Sequence, residues 1–236
     1  NASRDTVVEE NVIVDCARGV GFGLLEVSGD RVYPDDPYPG VGYLGHIDGV
    51  IRNNFIAAAE RYGITPNIDR WVIENAFRWL VSEADERERL AMCSINLSGQ
   101  SFGDDKFLPF VIDEFSNSGI DASKICFEIT ETAAVASFSQ ANRFIQALKE
   151  LGCKFALDDF GTGLSSFGYL KHFPVDFLKI DGSFVREILR DPIDREMVRS
   201  INEIGHLTGK QTIAEFAENA EIIQMLTGLG VDYAQG

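Results

Sequence analysis

The chain has 236 residues, of which 37 are acidic and 21 basic, and this balance gives a formal net charge of −16. Such a charge repels nucleic-acid backbones and anionic membranes, so we expect no DNA partner. The composition, 45% hydrophobic and 25% charged, is that of a globular protein and excludes an intrinsically disordered chain. No apolar run approaches the ~20 residues of a membrane span, so we predict no such span in this chain.

From Phe55 to the end of the chain, segments in which apolar residues recur at helical spacing alternate with short, continuous apolar runs. The helical patterns predict helices over Phe55–Tyr62, Ile68–Glu83, Asp104–Ser118, Phe138–Leu151, Ser165–Leu170, Ser183–Leu189, Arg195–Leu207 and Asn219–Leu229. The apolar runs predict six strands, over Met92–Asn96, Ile125–Ile129, Lys154–Asp158, Phe177–Ile180, Gln211–Glu215 and Val231–Ala234. Because these strands alternate with helices, the sheet should be parallel.

Residues 1–50 carry two weaker strand patterns, Gly21–Val27 and Val41–Ile47. Counting both gives eight strands, which favours an α/β fold of the (β/α)8 TIM-barrel type. The alternative is an open, doubly wound sheet, for which the chain has no glycine-rich dinucleotide fingerprint. We assign residues 1–20 to a linker or the tail of a preceding domain, and residues 21–236 to the barrel domain.

The four cysteines are scattered and form no Cys-x-x-Cys pair. Three of them, Cys93, Cys126 and Cys153, lie in apolar strand-like runs, which indicates buried, reduced thiols. We therefore expect a cytoplasmic domain, or the cytoplasmic part of a larger, membrane-attached protein.

Polar side chains stand at the carboxyl ends of the predicted strands. They are Asn96, Glu128, Asp158, Asp159, Lys179, Asp181, Glu215 and Gln235. A single carboxylate at such a position is usually a helix cap or a solvated loop residue. In a βα barrel, however, all of these ends converge on the face that carries the chemistry. The repetition therefore predicts one polar site.

The side chains of this site suit hard divalent cations. Carboxylate and amide oxygens without histidine or paired cysteine favour Mg²⁺ or Mn²⁺ over zinc, and His46, His172 and His206 lack metal-ligand spacing. The adjacent Asp158 and Asp159 could serve two ions, as in phosphoryl displacement. Bound cations would also let an acidic protein hold a phosphate ester, and at this point a sugar-phosphate enzyme remains open.

Six segments in chain order carry the motifs of one known family. They are Ser94–Ser98 around Asn-Leu-Ser, Phe127–Glu131 with Glu-Ile-Thr-Glu, Leu157–Gly163 with Asp-Asp-Phe-Gly-Thr-Gly, Leu178–Asp181, Ala214–Glu218 and Tyr233–Gly236. On these residues the sequence resembles the EAL family of cyclic di-GMP phosphodiesterases. The resemblance implies a metal-dependent hydrolase that opens cyclic di-GMP to linear pGpG in bacterial second-messenger signalling. It also implies a homodimer through the barrel and a sensor or diguanylate cyclase-type domain on the N-terminal side in the parent protein.

The resemblance assigns roles to residues of this chain. The implied ligands of Mg²⁺ or Mn²⁺ are Asn96, Glu128, Asp158, Asp159 and Glu215, with Asp159 holding the second ion. The implied catalytic residues are Lys179, Glu215 and Glu131, of which Lys179 orients or activates the attacking water and Glu131 steadies the loop at Phe160–Gly163. The implied substrate-binding residues are Asp181, Glu218 and Gln235.

The N-terminal quarter departs from the family pattern. Gly42 stands where the family has the metal-binding Glu of its Glu-Ala-Leu motif, and His46 stands in place of a substrate-binding Arg. Glu26 is a conceivable substitute for the missing carboxylate. The departure favours a catalytically degenerate domain that acts as a cyclic di-GMP receptor or a protein-interaction module. The retained aspartate pair, lysine and loop favour the phosphodiesterase.

Overall fold

The computed structural model describes residues 62–82, 91–162 and 167–236. The chain divides into two compact units, Asn1–Ile68 and Asp69–Gly236. Of the first unit, only residues 62–68 are described, and they form a turn and the first four residues of helix α1.

The described residues contain seven helices and six strands. The helices are α1 (Thr65–Ser82), α2 (Phe107–Ser118), α3 (Glu131–Ala136), α4 (Phe138–Leu151), α5 (Gly182–Arg186), α6 (Pro192–Leu207) and α7 (Ala220–Leu229). The strands are β1 (Cys93–Leu97), β2 (Ile125–Thr130), β3 (Lys154–Phe160), β4 (Phe177–Ile180), β5 (Gln211–Ala214) and β6 (Tyr233–Ala234). Three short 3-10 helices occupy Gly99–Gly103, Ala122–Lys124 and Phe167–His172. None of the described helices is long and apolar enough to cross a membrane.

The six strands form one parallel sheet in the order β1-β2-β3-β4-β5-β6. Each strand therefore pairs with the next strand along the chain, and the order never reverses as it does in a doubly wound sheet. This confirms the predicted α/β class and the barrel type, for which six of the eight predicted strands are described. The two predicted N-terminal strands lie outside the described residues.

Side chains on the two faces of the sheet enter separate apolar clusters. In β2, Ile125, Phe127 and Ile129 belong to the large cluster between the sheet and the helices. On the opposite face, Cys126 of β2 joins a small cluster with Ala156, Phe177, Ile213 and the half-buried Met92. Because both faces of β2 are covered, the strand reads in sequence as a continuous apolar run. This second face ends in the polar groups described below.

Several element boundaries differ from the sequence predictions because of local capping. The helix predicted to begin at Arg195 begins at Pro192, where the Asp191 side chain accepts a hydrogen bond from the Ile193 N–H. The helix predicted from Asp104 begins at Phe107, after a 3-10 turn. Helix α3 was not predicted, and its first turn is capped by the Thr130 hydroxyl.

The segments predicted as Ser165–Leu170 and Ser183–Leu189 are shorter or tighter than expected. The first is a 3-10 helix over Phe167–His172 where it is described, and the second ends at Arg186. Nearly all of the predicted helix Phe55–Tyr62 lies outside the described residues. Of the three cysteines that are described, Cys126 and Cys153 are buried as predicted, Cys93 is half-buried, and all three are free.

Candidate active site

A cluster of carboxylates surrounds one lysine at the carboxyl end of the parallel sheet. Glu128 comes from β2, Asp158 and Asp159 from β3, and Lys179 from β4, while Glu215 directly follows β5. The strands run in parallel, so their carboxyl ends meet on one edge, which is where active sites of βα barrels lie. The structure thus brings together side chains that are up to 87 residues apart in the chain, from Glu128 to Glu215.

Lys179 lies at the centre of this cluster and is 2% exposed. Its Nζ lies 2.7 Å from Asp158 Oδ1, 2.7 Å from Glu215 Oε1 and 2.8 Å from Glu128 Oε2. Burial by itself would lower the pKa of this ammonium, but the carboxylates, Glu128 and Asp158 first, raise the pKa well above its ordinary value. Lys179 is therefore a cation in neutral solution.

Three of the carboxylates could hold a metal ion. Oxygens of Asp158, Asp159 and Glu215 lie within 4.8 Å of one another. Burial raises the pKa of Asp159, and the neighbouring Asp158 and Asp181 carboxylates raise it further. Burial also raises the pKa of Glu215, although the hydrogen bond from Lys179 opposes the shift. Asp159 and Glu215 therefore hold protons more tightly than free carboxylates, as expected for buried groups among other negative charges.

One buried oxygen in the cluster supports a cation site. Asp158 Oδ1 is buried and has no partner in hydrogen-bonding geometry among the described residues, although the Lys179 ammonium is only 2.7 Å away. Buried polar atoms normally have hydrogen bonds, and exceptions call for an explanation such as an ion. An excess of carboxylates, and a buried oxygen that shares the Lys179 ammonium with Glu128 and Glu215, fit a hard divalent cation such as Mg²⁺ or Mn²⁺.

The backbone is strained where the two aspartates meet. Asp159 has a φ of 53°, in the left-handed region that residues other than glycine rarely adopt. The pairing of β3 with β4 also shifts register between Leu157 and Phe160. This irregularity lets Asp158 and Asp159 both contribute to the acidic cluster, whereas neighbours in a regular strand point to opposite faces. Strain of this kind costs about 1–3 kcal/mol and concentrates at functional sites.

Glu131, at the start of α3, contacts the segment that follows these aspartates. This carboxylate is 3% exposed. Its Oε2 accepts a hydrogen bond of 3.1 Å from the Gly161 N–H, and its Oε1 accepts one of 2.7 Å from the Tyr169 hydroxyl. Gly163 lies outside the described residues, so of the expected contact between Glu131 and the loop only the part at Gly161 is seen.

Similarity to known proteins identifies the family. The profile of the EAL domain matches residues 45–236, which is most of the chain. The chain belongs to the EAL domain family. It is 42% identical over 182 residues to the cyclic di-GMP phosphodiesterase PdeB of Shewanella oneidensis, and the match covers 77% of this chain and 21% of that protein. It is 37% identical over 186 residues to the cyclic di-GMP phosphodiesterase PdeF of Escherichia coli, with 78% of this chain and 24% of that protein covered. The chain thus spans about a quarter or less of the length of these two relatives.

Solved structures of EAL proteins share this fold. The structure of PaMucR phosphodiesterase in complex with c-di-GMP superposes with a TM-score of 0.73 at 29% identity, covering 78% of this chain and 74% of that one. The FimX EAL domain from Pseudomonas aeruginosa bound to c-di-GMP superposes with a TM-score of 0.71 at 32% identity, covering 78% and 73%. Both comparisons confirm the barrel-type fold predicted from the alternating pattern.

The other residues predicted for the site lie in or after neighbouring strands of the sheet. Asp181 accepts a hydrogen bond from the Ser183 N–H at the start of α5, and its carboxylate also influences the pKa of Asp159. Asn96 lies beside Glu128 in the pairing of β1 with β2, and its side chain is exposed. Glu218 and Gln235 are also exposed, and the Gln235 backbone bonds to Ala214 and Ala217.

Three residues near the site were missed by sequence reasoning. Asp69 is 7% exposed and accepts hydrogen bonds from the Ser98 N–H and the Ser101 hydroxyl, and burial raises its pKa to about 6. In the sequence, Asp69 precedes Val72 and Ile73 by three and four residues, so it falls on the apolar face of a helix, which signals a buried polar contact. Tyr169 and Phe216 carry no such signal, since aromatic residues are common in any core.

Phe216 follows Glu215 and has an unusual setting. Its backbone has a φ of 56°, and its side chain is 43% exposed. The Arg186 guanidinium carbon lies over the Phe216 ring, 3.9 Å from the ring centroid. A Cβ on Gly182 would come within 1.9 Å of its ring, so the ring packs directly on the glycine backbone. Gly42, His46 and Glu26, which bear on the missing family motif, lie outside the described residues.

Proposed function

We propose that this EAL domain hydrolyses cyclic di-GMP to linear pGpG in a reaction that depends on Mg²⁺ or Mn²⁺. The observation that carries the proposal is the buried Lys179 ammonium in contact with Glu128, Asp158 and Glu215, next to Asp159. Relatives over three-quarters of the chain bear the name cyclic di-GMP phosphodiesterase. Because all of these carboxylates and Lys179 are present, hydrolysis of cyclic di-GMP is favoured over binding of the nucleotide without cleavage.

We assign the ions to the carboxylates and Asn96. Glu128, Asp158, Glu215 and Asn96 would hold one ion, and Asp159 would hold the second. When bound, such ions neutralise phosphodiester oxygens and lower the pKa of a water molecule, which is the chemistry that two-metal sites supply. The strained backbone at Asp159 supports this assignment, because it aims a second aspartate into the cluster.

The protein side chains would then position the reactants. Lys179 is protonated in neutral solution, so it donates a hydrogen bond that orients the attacking water and does not itself remove the proton. Asp181, Glu218 and Gln235 stand at the rim, where their polar groups would contact the dinucleotide. Glu131 holds the Gly161 backbone and thereby the end of β3.

A receptor is the second candidate function. Counting back from Phe55 puts Gly42 at the position of a family carboxylate, and the loss of that ligand would weaken metal binding and slow hydrolysis. Such a domain would still bind cyclic di-GMP and signal through its conformation. We also propose a homodimer, an N-terminal sensor or diguanylate cyclase-type neighbour, a linker or the tail of a preceding domain over residues 1–20, and a cytoplasmic location.

Product analysis distinguishes the two functions. The chain is incubated with cyclic di-GMP and either Mn²⁺ or Mg²⁺, and the nucleotides are separated by chromatography. The phosphodiesterase converts cyclic di-GMP to pGpG, and excess EDTA abolishes the conversion. A receptor binds cyclic di-GMP in an equilibrium titration and leaves it intact with either ion, which would refute the proposed activity.

A further inference from the structure

Among the residues that the structure describes, the buried Glu131 carboxylate has two neutral hydrogen-bond donors and no cationic partner. Among the described residues it forms no ion pair, and its two oxygens are taken by the Gly161 N–H and the Tyr169 hydroxyl. A buried charge without a counter-ion is costly unless its oxygens are hydrogen-bonded. The Tyr169 hydroxyl therefore supplies one of the two hydrogen bonds that hold this carboxylate in place.

Tyr169 is itself held in place by packing against the apolar core. It lies in the 3-10 helix Phe167–His172, and its ring packs edge-on against Phe173 at a centroid distance of 6.4 Å. Burial and the Glu131 carboxylate raise the pKa of Tyr169, so its hydroxyl remains protonated and donates. The 2.7 Å hydrogen bond is thus a charge-assisted one, the stronger kind.

The chain of contacts reaches the aspartate pair through Gly161. This glycine has a φ of 101°, and a Cβ on it would come within 2.8 Å of Ile201, so its backbone is tightly enclosed. Gly161 lies two residues after Asp159, whose own backbone is left-handed. Fixing the Gly161 N–H therefore fixes the strained turn that aims Asp159 at Asp158 and Glu215.

We propose that Tyr169 is a positioning residue for the second metal ion, acting through Glu131 and Gly161 on Asp159. The proposal rests on the proposed function for its metal, but the hydrogen-bonded chain itself can be tested without catalysis. Tyr169 touches none of the carboxylates assigned to metal. Loss of the Tyr169 hydroxyl should loosen the backbone turn from Asp159 to Gly161 and leave the carboxylates around Lys179 in place.

The test compares Tyr169→Phe with the parent chain in three measurements. Amide hydrogen exchange at Gly161 should become faster, because Glu131 loses the donor that holds it. Mn²⁺ affinity, measured by titration without nucleotide, should fall by about 10- to 100-fold, the usual effect of losing a partner that orients a ligand. The Mn²⁺ concentration for half-maximal hydrolysis should rise in parallel, while KM for cyclic di-GMP at saturating metal stays close to that of the parent.

Two further variants separate positioning from general destabilisation. Thr212→Val removes a buried hydroxyl that hydrogen-bonds Asn202, near the amino end of β5, and should leave all three measurements unchanged. In a Glu131→Gln background, Tyr169→Phe should add little, because residues acting in one chain are not additive.

The outcomes that overturn the inference are distinct from failure of the proposed function. Unchanged Gly161 exchange or unchanged Mn²⁺ affinity in Tyr169→Phe overturns it, as does an equal effect from Thr212→Val. Fully additive effects of Tyr169→Phe and Glu131→Gln also overturn it. A parent chain that binds Mn²⁺ and leaves cyclic di-GMP intact refutes the proposed activity, while the exchange and affinity measurements still decide the role of Tyr169.

Discussion

Replacing Lys179 by methionine removes the only cation that contacts three of the clustered carboxylates within the described residues. The side chain is 2% exposed, and Glu128, Asp158 and Glu215 each lie within 2.8 Å of its Nζ. Removing one partner from a buried ion pair costs about 3–5 kcal/mol because the other charge stays buried. We expect Lys179→Met to lower the free energy of unfolding by this amount at pH 8 without metal.

The loss should depend on pH. Without the ammonium, the facing carboxylates repel one another, so the pKa of Glu215, already raised in the parent, rises further above its unfolded value of about 4.3. A group with a raised folded-state pKa contributes stability below its unfolded pKa, and that stability is lost as pH rises through the folded pKa. Lys179→Met should therefore be closer to the parent at pH 5 than at pH 8. Excess Mn²⁺ should restore more stability to the variant than to the parent, since the ion replaces the missing positive charge.

Urea unfolding at pH 5 and pH 8, with EDTA or Mn²⁺, measures these differences. Lys149→Met is a matched control, because Lys149 is one-third exposed and its partner Asp176 keeps Lys154 at 3.6 Å. This control should cost about 0–1 kcal/mol, as exposed pairs do. A Lys179→Met variant as stable as the control, or one indifferent to pH and Mn²⁺, would refute the description of Lys179 as the shared counter-ion of the cluster.

Three other substitutions probe the site and its support. Glu215→Gln should slow cyclic di-GMP hydrolysis about 100-fold or more, as measured by product formation, and should weaken Mn²⁺ binding, as measured by titration. Glu203→Gln, on the exposed face of α6, is the control and should change neither the rate nor the affinity. The pKa of Asp69, about 6, lies above its unfolded value, so its contribution to the free energy of unfolding is lost as the pH rises from about 4 to 6. Asp69→Asn should remove this loss, as measured by urea unfolding across that range. An unchanged dependence of the free energy of unfolding on pH would argue against the shift. Gly182→Ala should lower the free energy of unfolding by about 1–3 kcal/mol, because the new methyl group overpacks the Phe216 ring. Gly228→Ala is the control and should lower it less, since a Cβ there meets nothing within 4 Å. Equal melting temperatures of the two variants would contradict the contact between Gly182 and Phe216.

The fold was largely predictable because its strands are short apolar runs between amphipathic helices. β4 was predicted to the residue as Phe177–Ile180, and α4 as Phe138–Leu151. The boundaries that were wrong depend on caps and 3-10 turns, as at Pro192 and Phe107. Such turns are decided by single hydrogen bonds that apolar periodicity does not report.

The members of the acidic cluster were predictable, but its geometry was less so. Strand ends in a parallel sheet must converge, so Glu128, Asp158 and Glu215 could be brought together from the pattern alone. Sequence could not show that Lys179 is buried among them, because a lysine at a strand end is ordinarily exposed. Nor could it show the left-handed backbone of Asp159, since nothing in an aspartate residue requires that conformation.

The central claim is that Asp158, Asp159 and Glu215 bind the divalent cations that cleave cyclic di-GMP. Crystals of the chain grown with Mn²⁺ and cyclic di-GMP, measured for anomalous scattering, test it most directly. The account predicts manganese peaks bonded to oxygens of all three carboxylates, with Asp159 on the second ion. A map with bound nucleotide and no manganese peak at these oxygens would contradict it.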